Sequence, residues 1–518
     1  MKKLLSLVLA MLMMVSVLTA CGSNNDANVG PADADSQGAE DVKDNDIEIV
    51  VSTDLASLDP AASSSVFTMY VTRTLYDRLY ETDENNDPVP HLAKTTEMIS
   101  DTEWIITLQD NAKFSDGSPI TAADVKYSLD RAKASGQAAA LYAPISSIEV
   151  VDDLTVKFVT ERLYPQLVLA LTHGSACILP ASYLEEADKT GDFSNPVTSG
   201  RYVVDERVPG ESIRLVPNEN FWDTADAAQN TSLTFRVVPE ASTRSIMVQT
   251  GEADLNVDFS TADYDILAND SNVKIHENNS NTMTFMTLDC QNEFLQDKTV
   301  RQAFNYAIDR ESVLLVQANG FGTVNYTYLA NPCNGYLDNP GGYSYNPDKA
   351  KELLAQAGYA DGDITIDLNV TSEYNAAASL IQSNLKDVGV TANIVMMESL
   401  DDIVPRASDG VLDACVTIWG CYTDPALVLE RNVGKSALGA YNQARYVNEE
   451  LEGLWQYGTA FQDVNERIPY YEQWQQILCE DCPWVPLYVG KTFAVSNAAL
   501  QGVTLNPQNA YGFHALHY

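Results

Sequence analysis

The stretch YNPDKAKELLAQAGYADGDITIDLNV, at residues 345–370, decides the fold, because it predicts a complete helix followed by a complete strand. Asn346 is placed to cap the helix, Pro347 suits its first position, and Gly358 is placed to end it. The segment ITIDLNV then alternates apolar and polar residues, which predicts a strand with one buried face.

The segments on either side continue this alternation of helix and strand. The next helix is predicted to run to Gly389, and VTANIVMM at 390–397 is predicted to form another strand. Upstream, KTVRQAFNYAIDRESVL carries apolar residues at helical spacing, namely Val300, Ala303, Phe304, Ala307 and Ile308. Strands and helices that alternate at this spacing along the chain predict βαβ units and an α/β lobe.

The amino-terminal half predicts a second set of elements. IEIVVS at 47–52 is strand-like, and VFTMYVTRTLYDRLY at 66–80 is predicted to form a helix. Thr121 and Asp124 stand at the positions of a capping box before an amphipathic helix. IEVVDDLTVKFV at 148–159 predicts two strands around an Asp-Asp turn.

The first residues predict export. Lys2 and Lys3 precede the uncharged apolar run LLSLVLAMLMMVSVLTA, which is short for a membrane span and is followed by a polar stretch. Residues 1–20 are therefore predicted to be a secretory signal, and a single membrane anchor is the alternative. Leu-Thr-Ala-Cys at the end of this run resembles the bacterial lipobox, which implies that Cys21 is lipidated and becomes the new amino terminus.

Composition limits the possible partners. Residues 21–46 are polar and contain no aromatic residue, which predicts a flexible tether. The formal net charge of −41 argues against nucleic acid and anionic lipid surfaces as partners, since both favour a positive protein surface. A hydrophobic content of 45% is enough for two or three lobes with cores of their own.

The eight cysteines are thinly spread along the chain. With Cys21 lipidated an odd number is left, so the sequence does not predict a disulfide scaffold. Cys479 and Cys482 have the spacing of a redox or metal motif, but no second such pair and no nearby His completes a zinc set. A local disulfide, two free thiols and a metal site all stay open at this point.

Motifs of common enzyme classes are absent from the sequence, which has no GxxxxGK[ST], no GxGxxG after a strand, no HExxH and no GxSxG. The stretch WGCYTDP at 419–425 follows a strand-like segment, and ligands bind at such strand ends in α/β lobes. Trp419 and Tyr422 suit either a pocket wall or a core. Cys421 would be a nucleophile only if a His approached it in the fold.

Several motifs in order along the chain resemble one known family. They are SLDP (57–60), SGRYVV (199–204), LVPNENFW (215–222), VVPEASTRSIMVQTGEADL (237–255), VRQAFNYAIDRESV, YNPDKAKELLAQAGY and WGCYTDP. Together they resemble the extracellular solute-binding proteins of the dipeptide, oligopeptide and nickel ABC importers, called family 5. The resemblance runs from about Ile47 to the carboxyl terminus.

This resemblance implies an α/β fold of the type II periplasmic-binding-protein class, with two hinged lobes and an extra inserted subdomain (cluster C). The two amino-terminal segments are the predicted signal peptide at 1–20 and the tether at 21–46. For the rest of the chain the resemblance implies a first lobe at 47–285 with the insertion at about 82–198, a second lobe at 286–494, and a return to the first lobe at 495–518.

The implied function is that of a binding protein without enzymatic activity, cofactor or nucleic-acid partner. It would be a monomer, lipid-anchored at the extracellular face of a bacterial membrane or on the periplasmic side in a Gram-negative cell. It would pass a peptide or peptide-like solute to ABC permease subunits and their ATPases. The alternatives are a nickel chelate, an oligosaccharide or a cationic small molecule as ligand, and an exported thiol enzyme that uses Cys421.

The predicted ligand-binding residues lie on both lobes, and none is a metal ligand. They are Phe67 on the first lobe and Glu373, Tyr374, Trp419, Cys421, Tyr422 and Asp424 on the second. The charged residues with which related peptide receptors hold peptide ends are replaced in the regions of Cys421–Tyr422 and Ser372–Tyr374. Glu373 suggests a cationic or hydroxylated ligand unless it lies on a solvated loop, and Asp424 either binds ligand or holds its own loop.

Overall fold

The computed structural model describes residues 45–62, 65–84, 86–135, 139–331, 333–420, 423–438, 441–507 and 511–518. The predicted signal peptide, Cys21 and nearly all of the tether lie outside these residues, as do Cys421 and Tyr422. No helix among the described residues is long and apolar enough to cross a membrane.

The strands of the described chain form one large sheet and two small ones. The strands are β1 (Asp46–Val51), β2 (Tyr80–Thr82), β3 (Pro88–Pro90), β4 (Ala93–Ser100), β5 (Glu103–Leu108), β6 (Ile145–Asp152), β7 (Thr155–Thr160), β8 (Tyr202–Val208), β9 (Ser212–Pro217), β10 (Ser232–Val237), β11 (Leu255–Asn256), β12 (Val273–Leu288), β13 (Gly322–Val324), β14 (Ile364–Thr371), β15 (Val390–Met397), β16 (Ala414–Gly420) and β17 (Trp484–Asn497). The large sheet has the order β15-β14-β16-β12-β17-β11-β1-β10-β9-β8, and β13 also pairs with β17.

Helices cover this sheet and connect its strands. They are α1 (Val66–Leu75), α2 (Ala122–Ala134), α3 (Ala139–Tyr142), α4 (Leu167–Ala170), α5 (Ala181–Thr190), α6 (Ala241–Thr250), α7 (Tyr264–Leu267), α8 (Lys298–Ala307), α9 (Arg310–Ala318), α10 (Pro347–Gln356), α11 (Asn375–Asp387), α12 (Ile403–Ser408), α13 (Ala426–Val433), α14 (Glu449–Gly458) and α15 (Val464–Asp481). This mixture of helix and sheet confirms the predicted α/β class.

The large sheet carries separate hydrophobic cores on its two halves. On the half formed by β1 and β8–β11, the first lobe, the core includes Phe235 together with Phe513 and Leu516 from the carboxyl-terminal segment. On the half formed by β14–β16, the second lobe, the core includes Phe304 and Leu368. Since each core is built mainly from its own half, the two lobes have separate cores although their strands share one sheet.

Two long antiparallel strands connect the lobes. β12 and β17 pair from Val273–Asn497 in the first lobe to Thr287–Trp484 in the second. The register shifts between Asn279 and Met283, near the middle of β12. Such irregularities bend a strand and leave backbone groups outside the regular ladder, so this is where the strand pair is most easily flexed.

The second lobe contains the βαβ unit predicted from residues 345–397. Strands β14 and β15 pair in parallel over their full lengths, with α11 between them in the chain. At the start of α10 the Asn346 side chain accepts a hydrogen bond of 3.0 Å from the Lys349 N–H. Gly358 follows with a φ of +92°, a conformation that residues with a Cβ rarely adopt. The predicted cap and stop are therefore confirmed.

The inserted segment folds around a sheet of its own, in the order β4-β5-β7-β6. Its core includes Trp104, Phe114 and Phe158. At the start of α2, Asp124 accepts hydrogen bonds from the backbone N–H of Thr121 at 2.9 Å and from its hydroxyl at 2.6 Å. Both the capping interaction and the predicted β6–β7 hairpin are confirmed.

The first predicted helix is shorter than the sequence suggested. α1 ends at Leu75, five residues before the predicted end, and Tyr76 is already extended. The reason is tertiary, because the Leu75 carbonyl accepts from the Gly200 N–H at 2.8 Å and the Asp77 N–H donates to the Ser199 hydroxyl at 2.8 Å. A Cβ on Gly200 would lie 2.8 Å from the backbone of Leu75, so only glycine permits this contact.

Glu48 on β1 generates a stability prediction. Its carboxyl is mostly buried near Asp254 and Glu252, and burial raises its pKa from 4.5 to about 7 despite Arg236. The folded state therefore binds this proton more tightly than the unfolded state, so stability falls as pH rises from the unfolded pKa through the folded pKa. We expect Glu48→Gln to raise the free energy of unfolding by about 1–3 kcal/mol at pH 8 and to leave it nearly unchanged at pH 4.

Denaturant unfolding of both proteins at the two pH values measures this difference. Glu252→Gln is the matched control, because that side chain is more than half exposed and its removal leaves the buried carboxyl in place. An equal effect of Glu48→Gln at both pH values would contradict the assignment.

Candidate functional site

A cleft of about 510 Å³ lies between the two lobes. Its first-lobe wall is the segment after β11, residues 257–261, and its second-lobe wall includes Gln317, Phe321 and Tyr374. The connecting strands β12 and β17 form its floor. A solute in this cleft would contact both lobes, which is what a ligand needs if it is to favour a closed arrangement.

The lobes already touch along one side of the cleft. Asn319, just after α9, donates a hydrogen bond of 2.9 Å to the Thr261 hydroxyl of the first lobe. The rings of Phe321 and Tyr264 lie 4.5 Å apart between centroids, and Phe493 on β17 packs against Phe321 at 5.3 Å. These polar and aromatic contacts join the two walls of the cleft.

Glu373 and Tyr374, both predicted as ligand-binding residues, line the cleft. They lie in a short 3-10 turn directly after β14, and the Gln317 side chain fixes this turn by donating a 2.9 Å hydrogen bond to the Glu373 carbonyl. Loss of solvent around the carboxyl raises the pKa of Glu373 above its ordinary value. Burial also raises the pKa of Tyr374, whose side chain is only 5% exposed.

Trp419 lies in the core of the second lobe. Its side chain is 9% exposed and meets Trp484 edge-on at 5.7 Å between ring centroids. Neighbouring residues of a strand face opposite sides of a sheet, and on β16 it is Ile418 that lines the cleft. Of the two roles that the sequence allowed for Trp419, the structure therefore favours core packing, and the pocket-wall role is not carried further.

Phe67 is also placed in a core. Its ring packs against Phe235 at 5.7 Å, its side chain is 5% exposed, and it does not line the cleft. We therefore leave it out of the candidate site. Cys421 and Tyr422 lie outside the described residues, so their predicted roles stay predictions.

Asp424 is held by a network within the second lobe. Its carboxylate pairs with the guanidinium of Arg467, and it accepts hydrogen bonds from the Tyr471 hydroxyl at 2.8 Å and from the Ala426 N–H at 3.1 Å. It also accepts a 3.4 Å hydrogen bond from Gln166, which belongs to the inserted subdomain. This pattern supports the interpretation that Asp424 holds its own loop.

The thiols of Cys479 and Cys482 are free and buried, although their spacing suggested a redox or metal motif. Cys482 lies at 2.9 Å from the Tyr343 hydroxyl, and burial raises the pKa of both thiols to about 12. Because the thiolate is the form that attacks disulfides and binds metals, both cysteines are poorly suited to that chemistry.

Donor atoms of Asp77, Glu81 and His91 lie within 4.8 Å of one another, which is close enough to hold a metal ion. Arg201 already contacts both Glu81 oxygens, at 3.2 and 3.4 Å, and His91 lies 3.1 Å from Asp77. Burial would lower the pKa of His91, but Asp77 and Glu81 raise it overall. An internal ion-pair cluster accounts for these residues better than a metal site does.

A second cavity, of about 550 Å³, lies beside this ion-pair cluster. It is lined by Arg201, Glu81 and the carboxyl-terminal segment around Tyr511, with Asn278 of β12 at its edge. Among the described residues, none from the β14–β16 half of the sheet lines it. A ligand there would contact one lobe and would not favour closure, so we take the interlobe cleft as the candidate site despite its smaller volume.

Sequence reasoning missed several residues of the cleft. Asp258 and Thr261 follow the two-residue strand β11, and Phe321 follows the end of α9. Tyr488 lies within β17, where its alternating neighbours gave no sign of a ligand-facing position. Their positions after element ends are the signal that could have identified the first three.

The Asp424 network predicts a loss of stability when its charge is removed. Asp424→Asn keeps the side-chain shape but leaves the buried Arg467 guanidinium without its counter-ion, so we expect the free energy of unfolding to fall by about 3 kcal/mol. Gln166→Met, which keeps most of the volume of this buried side chain and removes the long hydrogen bond from the inserted subdomain, should cost less than about 1 kcal/mol. Denaturant unfolding measures both, and an unchanged stability in Asp424→Asn would contradict the structural role.

Comparison with known proteins places this fold and cleft in context. The family described as bacterial extracellular solute-binding proteins, family 5 Middle, matches residues 87–438. The glutathione-binding protein GsiB of Salmonella typhimurium is 26% identical over 485 residues, which cover 90% of this chain and 93% of that protein.

Solved structures share the fold. DppA of Helicobacter pylori, in complex with the peptide STSA, is similar with a TM-score of 0.80 and 22% identity over 91% of this chain and 97% of that one. NikZ of Campylobacter jejuni, in complex with Ni(L-His), is similar with a TM-score of 0.78 and 24% identity over 92% of this chain and all of that one. The chain therefore belongs to the bacterial extracellular solute-binding proteins of family 5, a family of binding proteins for ABC import.

Proposed function

We propose that this protein captures a peptide or peptide-like solute in the interlobe cleft and delivers it to an ABC permease with its ATPases. The observation that carries the proposal is the composition of the cleft, whose walls come from both lobes while its floor is the strand pair that joins them. A solute bound there stabilises the closed arrangement by contacts with both walls, and a permease can then distinguish the loaded protein from the empty one.

The ligand class is inferred from relatives and from the cleft itself. The similar proteins are named for glutathione, for a peptide complex and for a nickel–histidine complex, so one fold serves several solutes. Peptides are the class we favour because the cleft combines aromatic walls with hydroxyl groups such as those of Thr282 and Thr284. A nickel chelate, an oligosaccharide or a cationic small molecule are the alternatives.

We further propose that the protein is a monomer, tethered by lipid on Cys21 to the outer face of the bacterial membrane. The support is the signal-like run before Cys21 and the polar segment after it. The ranges predicted for the lobes and the insertion are part of the same proposal. An exported thiol enzyme that uses Cys421 is a remote alternative, which alkylation of that thiol and a search for turnover would test.

Peptide binding predicts ligand-dependent stability. We expect the processed chain to melt at a higher temperature with di- to tetrapeptides, since a ligand at about 100 times its Kd adds roughly 2.7 kcal/mol to the folded state. Thermal-shift measurements with peptides, nickel–histidine and oligosaccharides, each against buffer alone, separate the ligand classes. Stabilisation by nickel–histidine or an oligosaccharide but by no peptide would contradict the proposed class.

Lipid anchoring predicts that the protein partitions with the membrane through Cys21. In a bacterium that expresses the full chain, Cys21→Ser should move the protein from the membrane fraction to the medium or the soluble fraction and abolish labelling by an alkyne-tagged fatty acid. Cys177→Ser, which changes a buried thiol, is the control and should leave both unchanged. Labelling that survives in Cys21→Ser would contradict the anchor.

A further inference from the structure

We propose that the cleft selects a solute with a positively charged group, an ammonium or a guanidinium, which binds at the Glu373 carboxylate and the Tyr374 hydroxyl. This inference rests on the proposed function and adds to it the charge of the ligand. It assigns the specificity for that charge to two adjacent residues at the end of β14.

The Glu373 carboxylate lacks a counter-ion. Among the residues that the structure describes, no side chain forms an ion pair or a hydrogen bond with it, and only its carbonyl is engaged, by Gln317. Glu373 is an exposed residue that lines the cleft, and partial loss of solvent around its carboxyl raises the pKa of that group. A carboxylate that faces the cleft without a counter-ion is available to pair with a cation that enters the cleft.

Tyr374 provides a second, independent sign of a ligand. Its side chain is 95% buried and lines the cleft, yet its hydroxyl has no hydrogen-bond partner in the described part of the chain. The hydroxyl oxygen itself stays accessible from the cleft, since it is not one of the fully enclosed polar atoms that lack a partner. A polar group of a solute in the cleft would complete this hydrogen bond, beside the charge on Glu373.

The other charged side chains of the described lining are Asp258 and Lys491, and they leave the cleft acidic. Asp258 lines the opposite wall, and its carboxylate accepts hydrogen bonds from the Ser52 N–H at 2.7 Å and from its hydroxyl at 2.8 Å. The one lysine that lines the cleft, Lys491, is paired with Glu277 at 3.1 Å. The described lining is therefore acidic, and a solute carboxylate in this part of the cleft would be repelled.

Aromatic rings complete a surface suited to a cation. Tyr374, Tyr488, Phe321 and Phe493 all line the cleft, and the faces of such rings attract ammonium and guanidinium groups. Burial raises the pKa of Tyr488, and the negative charge of Glu373 acts in the same direction. A carboxylate beside aromatic faces discriminates in favour of organic cations and against acidic solutes.

Matched probes test the selection by charge. Isothermal titration of the processed chain would compare Ala-Lys-Ala with Ala-Gln-Ala, trialanine with N-acetyl-trialanine, and spermidine as a cation that is not a peptide. We expect the positively charged member of at least one pair to bind roughly tenfold tighter than its partner, or spermidine to bind. We also expect glutathione to bind more weakly than the favoured peptide.

Two variants assign the effect to the site. Glu373→Gln should reduce the difference in affinity between the charged and the uncharged probe to less than about twofold. Tyr374→Phe should lower the affinity for the charged probe several-fold but should keep the preference for it over the uncharged probe. Glu398→Gln is the matched control, because Glu398 is exposed and does not line the cleft. Melting temperatures of all variants check that each one folds.

The outcomes separate this inference from the proposed function. Peptide binding without a preference for charge, or a preference that survives in Glu373→Gln, overturns the inference and leaves the proposed function standing. Binding of spermidine that depends on Glu373, without binding of any peptide, supports the inference and contradicts the peptide class. If no probe binds, both are overturned.

Discussion

The pairing of β12 with β17 is the constraint on which the rest of the structure depends. These two strands lie side by side in the interior of the large sheet, between β16 of the second lobe and β11 of the first, so their ladder belongs to both lobes. β12 pairs with β16 in the second lobe at Thr282–Leu288, and β17 pairs with β11 in the first lobe at Val495–Ser496. A relative rotation of the lobes must therefore bend this pair, and the register shift after Asn279 is where bending disturbs the fewest hydrogen bonds.

The same strand pair explains why the cleft lies where it does. Its floor consists of side chains such as Thr284 and Tyr488, which project from the two strands between the lobes. Its walls are loops that follow β11, α9 and β14, so each wall moves with its own lobe. The contact between Asn319 and Thr261 links the walls with polar groups that water can replace, which makes this contact weaker than the cores it connects.

The sequence predicted local elements well and the direction of side chains poorly. The cap at Asn346 and the stop at Gly358 are set by local backbone chemistry, so the sequence alone identified them. Glu373 and Tyr374 were identified through the family resemblance, which pointed to the region where related receptors hold a peptide end. Trp419 was harder, because alternation shows that residues 418 and 419 face opposite sides of the sheet but not which side is covered by helices. The early end of α1 depended on residues 199–200, far away in sequence.

Two electrostatic effects can attract a cation to this protein: the net charge of the whole chain and the local charge of Glu373. Only the local charge can distinguish one cationic solute from another. The net charge of −41 attracts every cation in the surroundings, but salt at physiological concentration screens such attraction beyond about 8 Å. A cation bound at Glu373 would touch the carboxylate directly, at a distance well below this screening length, so salt weakens that interaction less. A preference for cationic solutes that arose from the overall charge would disappear at high salt, whereas one that arises at Glu373 persists in part and depends on that single residue.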